Sequence, residues 1–136
     1  MRKLEKVLLI DDDEINNFIN KKLFQKLNVA EQIRICKNGK EGLDYILNSC
    51  KPKELICPEF IILDNKMPVM DGKEFLQNLN NAHFINRKEV VILALVTSAR
   101  EEEVNSYKKL GVQELSYKPL SEQLIMDIYN KYWKDA

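Results

Sequence analysis

An excess of charge of one sign is the first thing this sequence lacks. Lys+Arg and Asp+Glu each number 21, so the formal net charge at pH 7 is zero. A nucleic-acid-binding domain ordinarily gathers a basic excess on one face, and none is gathered here, so no nucleic acid partner is expected. Long apolar runs are missing too. Behind the basic start Met1-Arg2-Lys3-Leu4-Glu5-Lys6, the run Val7-Leu8-Leu9-Ile10 is far too short for a signal peptide or a membrane span. No membrane association is expected, and a cytoplasmic location is. The three cysteines, Cys36, Cys50 and Cys57, are an odd number without a CxxC pair, and the single histidine, His83, lies far from them. Neither a disulfide framework nor a zinc site is expected, and a reduced compartment is the simpler reading. His83, in the polar stretch Asn80-Asn81-Ala82-His83, reads as a loop residue and not as a catalyst or ligand. There is no internal repeat, no low-complexity segment and no linker rich in Gly, Pro or Ser.

What is present suits one globular domain. A chain of 136 residues can bury one core but hardly two. With 45% hydrophobic and 31% charged residues it has the balance of a folded protein. Five short apolar runs recur: residues 7–10, 33–36, 60–63, 90–96 and 114–117. Bounded runs of this kind suit buried parallel strands. Between them lie segments of helical period. Ile15, Phe18, Ile19, Leu23 and Leu27 mark one apolar face. Leu43, Ile46 and Leu47 follow the turn signal Asn38-Gly39. Residues 101–110 open with three glutamates and close on Lys108-Lys109 before Gly111, which complements a helix dipole and supplies a C-cap. Ser121 is the expected N-cap of a last helix carrying Leu124, Ile125, Ile128 and Tyr132. Residues 48–59 and 78–89 read as loops. Five strand–helix pairs imply a doubly wound α/β domain over residues 1–136, a five-stranded parallel sheet of flavodoxin-like order 2-1-3-4-5 with five helices.

In open sheets of this kind, ligands bind beyond the carboxyl ends of the strands. After the first strand stand Asp11, Asp12 and Asp13; after the third, Asp64; after the fourth, Thr97 and Ser98; after the fifth, Lys118-Pro119. The second strand, at the edge, ends in Cys36-Lys37-Asn38 and offers nothing comparable. Carboxylates about 5 Å apart repel by roughly 3 kcal/mol per pair at an effective dielectric near 20. Asp11, Asp12 and Asp64 therefore need positive charge beside them. Lys118 supplies one unit, and a hard, oxygen-seeking ion such as Mg²⁺ or Mn²⁺ supplies the rest. Such a pocket can then receive a phosphoryl group, with the Thr97 hydroxyl as a donor to its oxygens. Asp13 and Glu14 read as the cap and first-turn acid of the next helix. Met67 and Met70 read as packing around the turn after Asp64, and Tyr132 and Trp133 as anchors of the last helix.

The set Asp11-Asp12, Leu63-Asp64-Asn65-Lys66-Met67-Pro68-Val69-Met70-Asp71-Gly72, Val96-Thr97-Ser98-Ala99 and Tyr117-Lys118-Pro119-Leu120 resembles the receiver domain of two-component response regulators. The likeness runs along nearly the whole chain. It implies that Asp64 is the phosphoacceptor, attacking the phosphohistidine of a sensor histidine kinase or histidine phosphotransfer protein. Asp12 then matches the direct metal ligand, Asp11 its water-bridged partner, and the Lys66 carbonyl the backbone ligand. Thr97 matches the switch hydroxyl, Lys118 the phosphate-pairing lysine, and the Lys118-Pro119 bond is expected cis. Lys66 and Ala99 fall where phosphoryl lifetime is tuned. One position departs from the pattern: the aromatic usual three residues before the lysine is Leu115 here, and Tyr117 stands next to the lysine instead.

The resemblance implies a signalling phosphoacceptor and not an enzyme, catalysing only its own phosphorylation and dephosphorylation. With eighteen residues after Lys118, no output domain is expected and a downstream protein target is. The competing reading is a receiver-like interaction module that works without phosphate. The intact acids, hydroxyl and lysine oppose it. An aspartyl-phosphate phosphatase would want an acid two residues past the nucleophile, where Lys66 stands. A flavin-binding protein would want a phosphate loop where Asp11-Asp12-Asp13-Glu14 repel phosphate.

Overall fold

A computed structural model describes residues 2–50, 57–67, 70–82, 89–98 and 100–134. Ten elements alternate along the chain: β1 (Leu4–Ile10), α1 (Glu14–Leu27), β2 (Ala30–Cys36), α2 (Gly39–Ser49), β3 (Phe60–Asp64), α3 (Gly72–Asn80), β4 (Val91–Val96), α4 (Glu101–Lys109), β5 (Glu114–Tyr117) and α5 (Glu122–Tyr132). The strands form one parallel sheet in the order β2-β1-β3-β4-β5. The expected doubly wound α/β architecture is the observed one. His83 and Ala99 lie outside the described residues, as does half of each expected loop. α2 reaches Ser49 and α3 reaches Asn80, a little into the stretches read as loops.

Alternation along the strands divides the interior into two cores. Leu8 and Ile10, Ile61 and Leu63, and Ile92, Ala94 and Val96 face α2, α3 and α4 through Ile46, Phe75, Leu76 and Tyr107. Val7 and Leu9, Phe60 and Ile62, and Val91, Leu93 and Leu95 face α1 and α5 through Phe24, Ile125, Ile128 and Tyr129. Every residue of β3 and β4 is buried, which is why these strands read as unbroken apolar runs. Trp133 closes the second core, its ring 5.1 Å from that of Phe60. The caps follow local chemistry. Asp13 accepts from the backbone N–H groups of Ile15 and Asn16, and Ser121 from Leu124. Two caps not singled out in the sequence, Asn38 and Asp71, open α2 and α3 in the same way.

Two expectations are overturned. The apolar face of α1 does not turn inward along its first half: Ile15, Phe18 and Ile19 are 70, 62 and 49% exposed, while Asn17, Asn20 and Phe24 are buried. Asn17 and Asn20 take the inward side instead, and the Asn17 amide donates to the Asp11 carbonyl at 2.9 Å, a buried polar contact that a hydropathy pattern does not register. The second correction concerns cysteine. Cys50 and Cys57 are joined by a disulfide, their Cα atoms 4.7 Å apart, while Cys36 is free and buried. The end of α2 and the approach to β3 meet in space, which a count of cysteines cannot reveal.

Candidate functional site

Four strand ends build one site. β1 runs directly into Asp11, whose backbone N–H bonds the Cys36 carbonyl at 3.1 Å and whose carboxylate accepts from the Asp13 N–H at 2.9 Å. Asp11 is buried and Asp12, next to it, is exposed. β3 ends on Asp64, which is 4% exposed. Beyond it the chain is tied twice: the Asn65 N–H donates to Leu95 at 3.2 Å, and the Asn65 carbonyl accepts from Gly72 at 3.1 Å. These bonds hold the turn through Lys66, which is exposed, and Met67, which is buried in the core.

Gly72 is tightly enclosed at the turn's far end. A Cβ there would come within 3.0 Å of the Asp64 carbonyl oxygen and 3.0 Å of the Tyr107 hydroxyl. Thr97 follows β4, two residues past Leu95, the register partner of Asp64, and is exposed. Lys118 continues β5, its N–H on the Val96 carbonyl at 2.9 Å, and its bond to Pro119 is cis as expected.

The side chains converge. Asp11, Asp12 and Asp64 each offer a carboxylate oxygen, and all three atoms lie within 4.8 Å of one another. The Lys118 ammonium sits 2.6 Å from Asp64 Oδ1. Three carboxylates against one ammonium leave two negative charges, the deficit a divalent cation fills. Burial pushes the Asp11 carboxyl up to about 6; the Asp13 N–H opposes this, and the charges of Asp64 and Asp12 add to it against that of Lys118. Burial pulls the Lys118 ammonium down, yet the hydrogen bond and charge of Asp64, with Asp11 and Asp12 behind, hold it above its ordinary range. Oxygen donors alone, in a group that resists being fully ionised, fit a hard cation such as Mg²⁺. Beside the cluster, a cleft of about 500 Å³ is lined by Asn65, Lys66, Met67, Asp71, Lys73 and Glu103.

Asp11, Asp12, Asp64 and Lys118, read from sequence as one group, are thus brought together, with Thr97 and Lys66 at the adjoining strand end and turn. Leu115 has no polar role and packs against the first core. Sequence reasoning did not single out Asn17, which anchors α1 to the Asp11 carbonyl, nor the pair Asn65 and Tyr107, whose side chains hydrogen-bond. The only signal for the pair was that Asn65 follows Asp64; its partner is 42 residues away.

An acid cluster and a lysine at the carboxyl ends of a β2-β1-β3-β4-β5 parallel sheet define a receiver of two-component signalling. The chain belongs to the response regulator receiver domain family, whose model matches residues 7–130. It is 24% identical over 131 residues to the two-component response regulator ORR41 of Oryza sativa subsp. japonica, covering 96% of each protein. A two-component response regulator structure from Cytophaga hutchinsonii superposes with a TM-score of 0.83 at 26% identity, over 96% of this chain and 97% of that one. The receiver domain of the sensor histidine kinase PA1611 from Pseudomonas aeruginosa, with a magnesium ion coordinated in its active-site cleft, shares the fold. Its TM-score is 0.75 at 16% identity, over 94% of this chain and 96% of that one. No described helix is long and apolar enough to cross a membrane.

Proposed function

We propose that this domain accepts a phosphoryl group from a partner's phosphohistidine onto Asp64 and signals by a change in its protein–protein contacts. The observation that carries the reading is the meeting of Asp64, Asp11 and Asp12 within 4.8 Å, with the Lys118 ammonium on Asp64. An Asp64 carboxylate oxygen attacks phosphorus, the phosphorus–nitrogen bond of the phosphohistidine breaks, and the imidazole leaves with the electron pair. Asp11, Asp12, Asp64 and the Lys66 carbonyl would hold Mg²⁺ or Mn²⁺, which neutralises charge on the transferring oxygens. Lys118 pairs with one phosphoryl oxygen and Thr97 donates its hydroxyl to another. The cation held by the PA1611 receiver supports the same ion here.

The partner is a sensor histidine kinase or a histidine phosphotransfer protein. It must approach where Asp12 and Thr97 are open, and the exposed Ile15, Phe18 and Ile19 of α1 stand at that end of the molecule. An apolar patch beside a charged pocket suits a protein donor better than a small metabolite. The test is incubation with acetyl phosphate and Mg²⁺, then intact-mass measurement. Wild type should gain one base- and hydroxylamine-labile phosphate and Asp64→Asn none. A wild type that stays unlabelled would leave the phosphate-independent interaction module as the better reading.

A further inference from the structure

Tyr107 is the single buried side chain of α4, and it is fully buried. Its hydroxyl donates to Asn65 Oδ1, on the residue that directly follows Asp64. A Cβ at Gly72 would stand 3.0 Å from this hydroxyl and 3.0 Å from the Asp64 carbonyl oxygen, so the three groups are closely packed. Lys73 places its ammonium 5.7 Å from the ring centroid. Burial holds the phenol well above its ordinary range, and the charges of Asp71, Glu103 and Asp64 add to this. Tyr107 therefore stays protonated and stays a donor. Among the described residues, no other side-chain hydrogen bond joins α4 to the turn that begins at Asp64. β5 offers no substitute, since Leu115 is aliphatic and packed against the core.

We propose that Tyr107 is a positioning residue that couples the state of Asp64 to the placement of α4, through its hydroxyl on Asn65. The proposal rests on the phosphoacceptor reading and names the route by which the site would reach a contact surface. With Lys118 on Asp64, Tyr107 holds Asn65 and α4 is anchored. A phosphoryl group on Asp64 draws Lys118 and Thr97 to its own oxygens and disturbs the backbone at residues 64 and 65. Asn65 is tied on both sides, to Leu95 and to Gly72, so the disturbance passes to its side chain and from there to α4. The hydrogen bond is the contact that differs between the two states, which any coupling requires.

Tyr107→Phe keeps the ring and its packing and removes only the hydroxyl; Asn65→Ala removes the acceptor from the other side. Backbone amide shifts would be followed in wild type and both variants on adding Mg²⁺ alone, then Mg²⁺ with beryllium fluoride as a phosphoryl mimic. The responses of residues 101–109 should fall by about twofold or more in both variants. Those of Asp11, Asp12 and Val96 should match wild type, and acetyl phosphate should label Asp64 within about threefold of the wild-type rate. An undiminished α4 response in Tyr107→Phe overturns the coupling, as does a loss spread evenly over all helices. Should wild type take up no beryllium fluoride, the phosphoacceptor reading falls separately. The coupling is then decided by the Mg²⁺ step, where wild-type α4 must respond and Tyr107→Phe α4 must not.

Discussion

Asp11 and Lys118 hold opposite sides of one electrostatic balance, and each can be removed alone. The fold favours the neutral form of Asp11, whose carboxyl is raised to about 6, so its ionisation at neutral pH opposes folding of the metal-free protein. Asp11→Asn keeps an oxygen for the Asp13 N–H and discards the charge. It should stabilise the metal-free domain by about 1–2 kcal/mol in urea unfolding at pH 7. The same change should weaken Mg²⁺ binding by at least about tenfold in calorimetric titration. A variant that loses on both counts would show that Asp11 is a structural acid. Lys118→Met keeps the aliphatic stem and leaves Asp64 without its cation at 2.6 Å. Acetyl phosphate labelling should slow by at least about tenfold, because a preorganised charge aimed at the transferring oxygens is gone. Mg²⁺ should bind no more weakly, since the ammonium no longer competes for Asp64.

At the level of elements, α1 shows where reading the sequence reached its bound. Apolar residues at helical spacing located the helix but named the wrong inward side for its first half. Periodicity weighs hydrophobicity, while the inward side carries Asn17, whose amide bonds the Asp11 carbonyl, and Asn20, both of which a hydropathy pattern assigns to solvent. The central strands were more legible, because burial on both faces leaves unbroken apolar runs in β3 and β4; β5, half-buried, was still read residue for residue. The strand-end acids and Lys118 were legible for a related reason: parallel topology sends every strand's carboxyl end to one side. The Cys50–Cys57 bridge and the Tyr107–Asn65 bond depend on where distant segments meet. No local pattern encodes either. The exposed side of α1 carries its own prediction. Ile15→Ser with Phe18→Ser removes apolar side chains that are 70 and 62% exposed, so stability should shift by less than about 1 kcal/mol. Transfer from a phosphorylated histidine partner should fall at least about tenfold while acetyl phosphate labelling is unchanged. Equal loss from both donors would place the patch outside the docking surface.

Across the whole molecule, the order β2-β1-β3-β4-β5 puts the three inner strands and β5 next to one another, so one site draws on both cores and on most of the sheet. A cation bound there ties β1 to β3, segments far apart in sequence, and binds the folded chain alone. Its effect should therefore appear in global unfolding. Mg²⁺ at about 100 times its dissociation constant should add about 2.7 kcal/mol, a rise of roughly 5–10 °C in Tm for a domain of this size. The pH dependence has a definite sign. Because the folded-state value of Asp11 is raised from 3.8 to about 6, its neutral form contributes stability below the ordinary carboxylate range, and that contribution is lost as pH rises through about 6. The metal-free protein should on this account gain stability from Asp11 between pH 7 and pH 5. The bound cation needs the carboxylate, so the Mg²⁺-dependent rise in Tm should shrink over the same interval as protons compete for the site. Thermal unfolding at pH 7 and pH 5, with and without Mg²⁺, reads both trends at once. In Asp11→Asn the pH dependence of the Mg²⁺ effect should flatten, and a shift that persists undiminished at pH 5 in wild type would mean the ion is held somewhere other than the Asp11, Asp12 and Asp64 cluster.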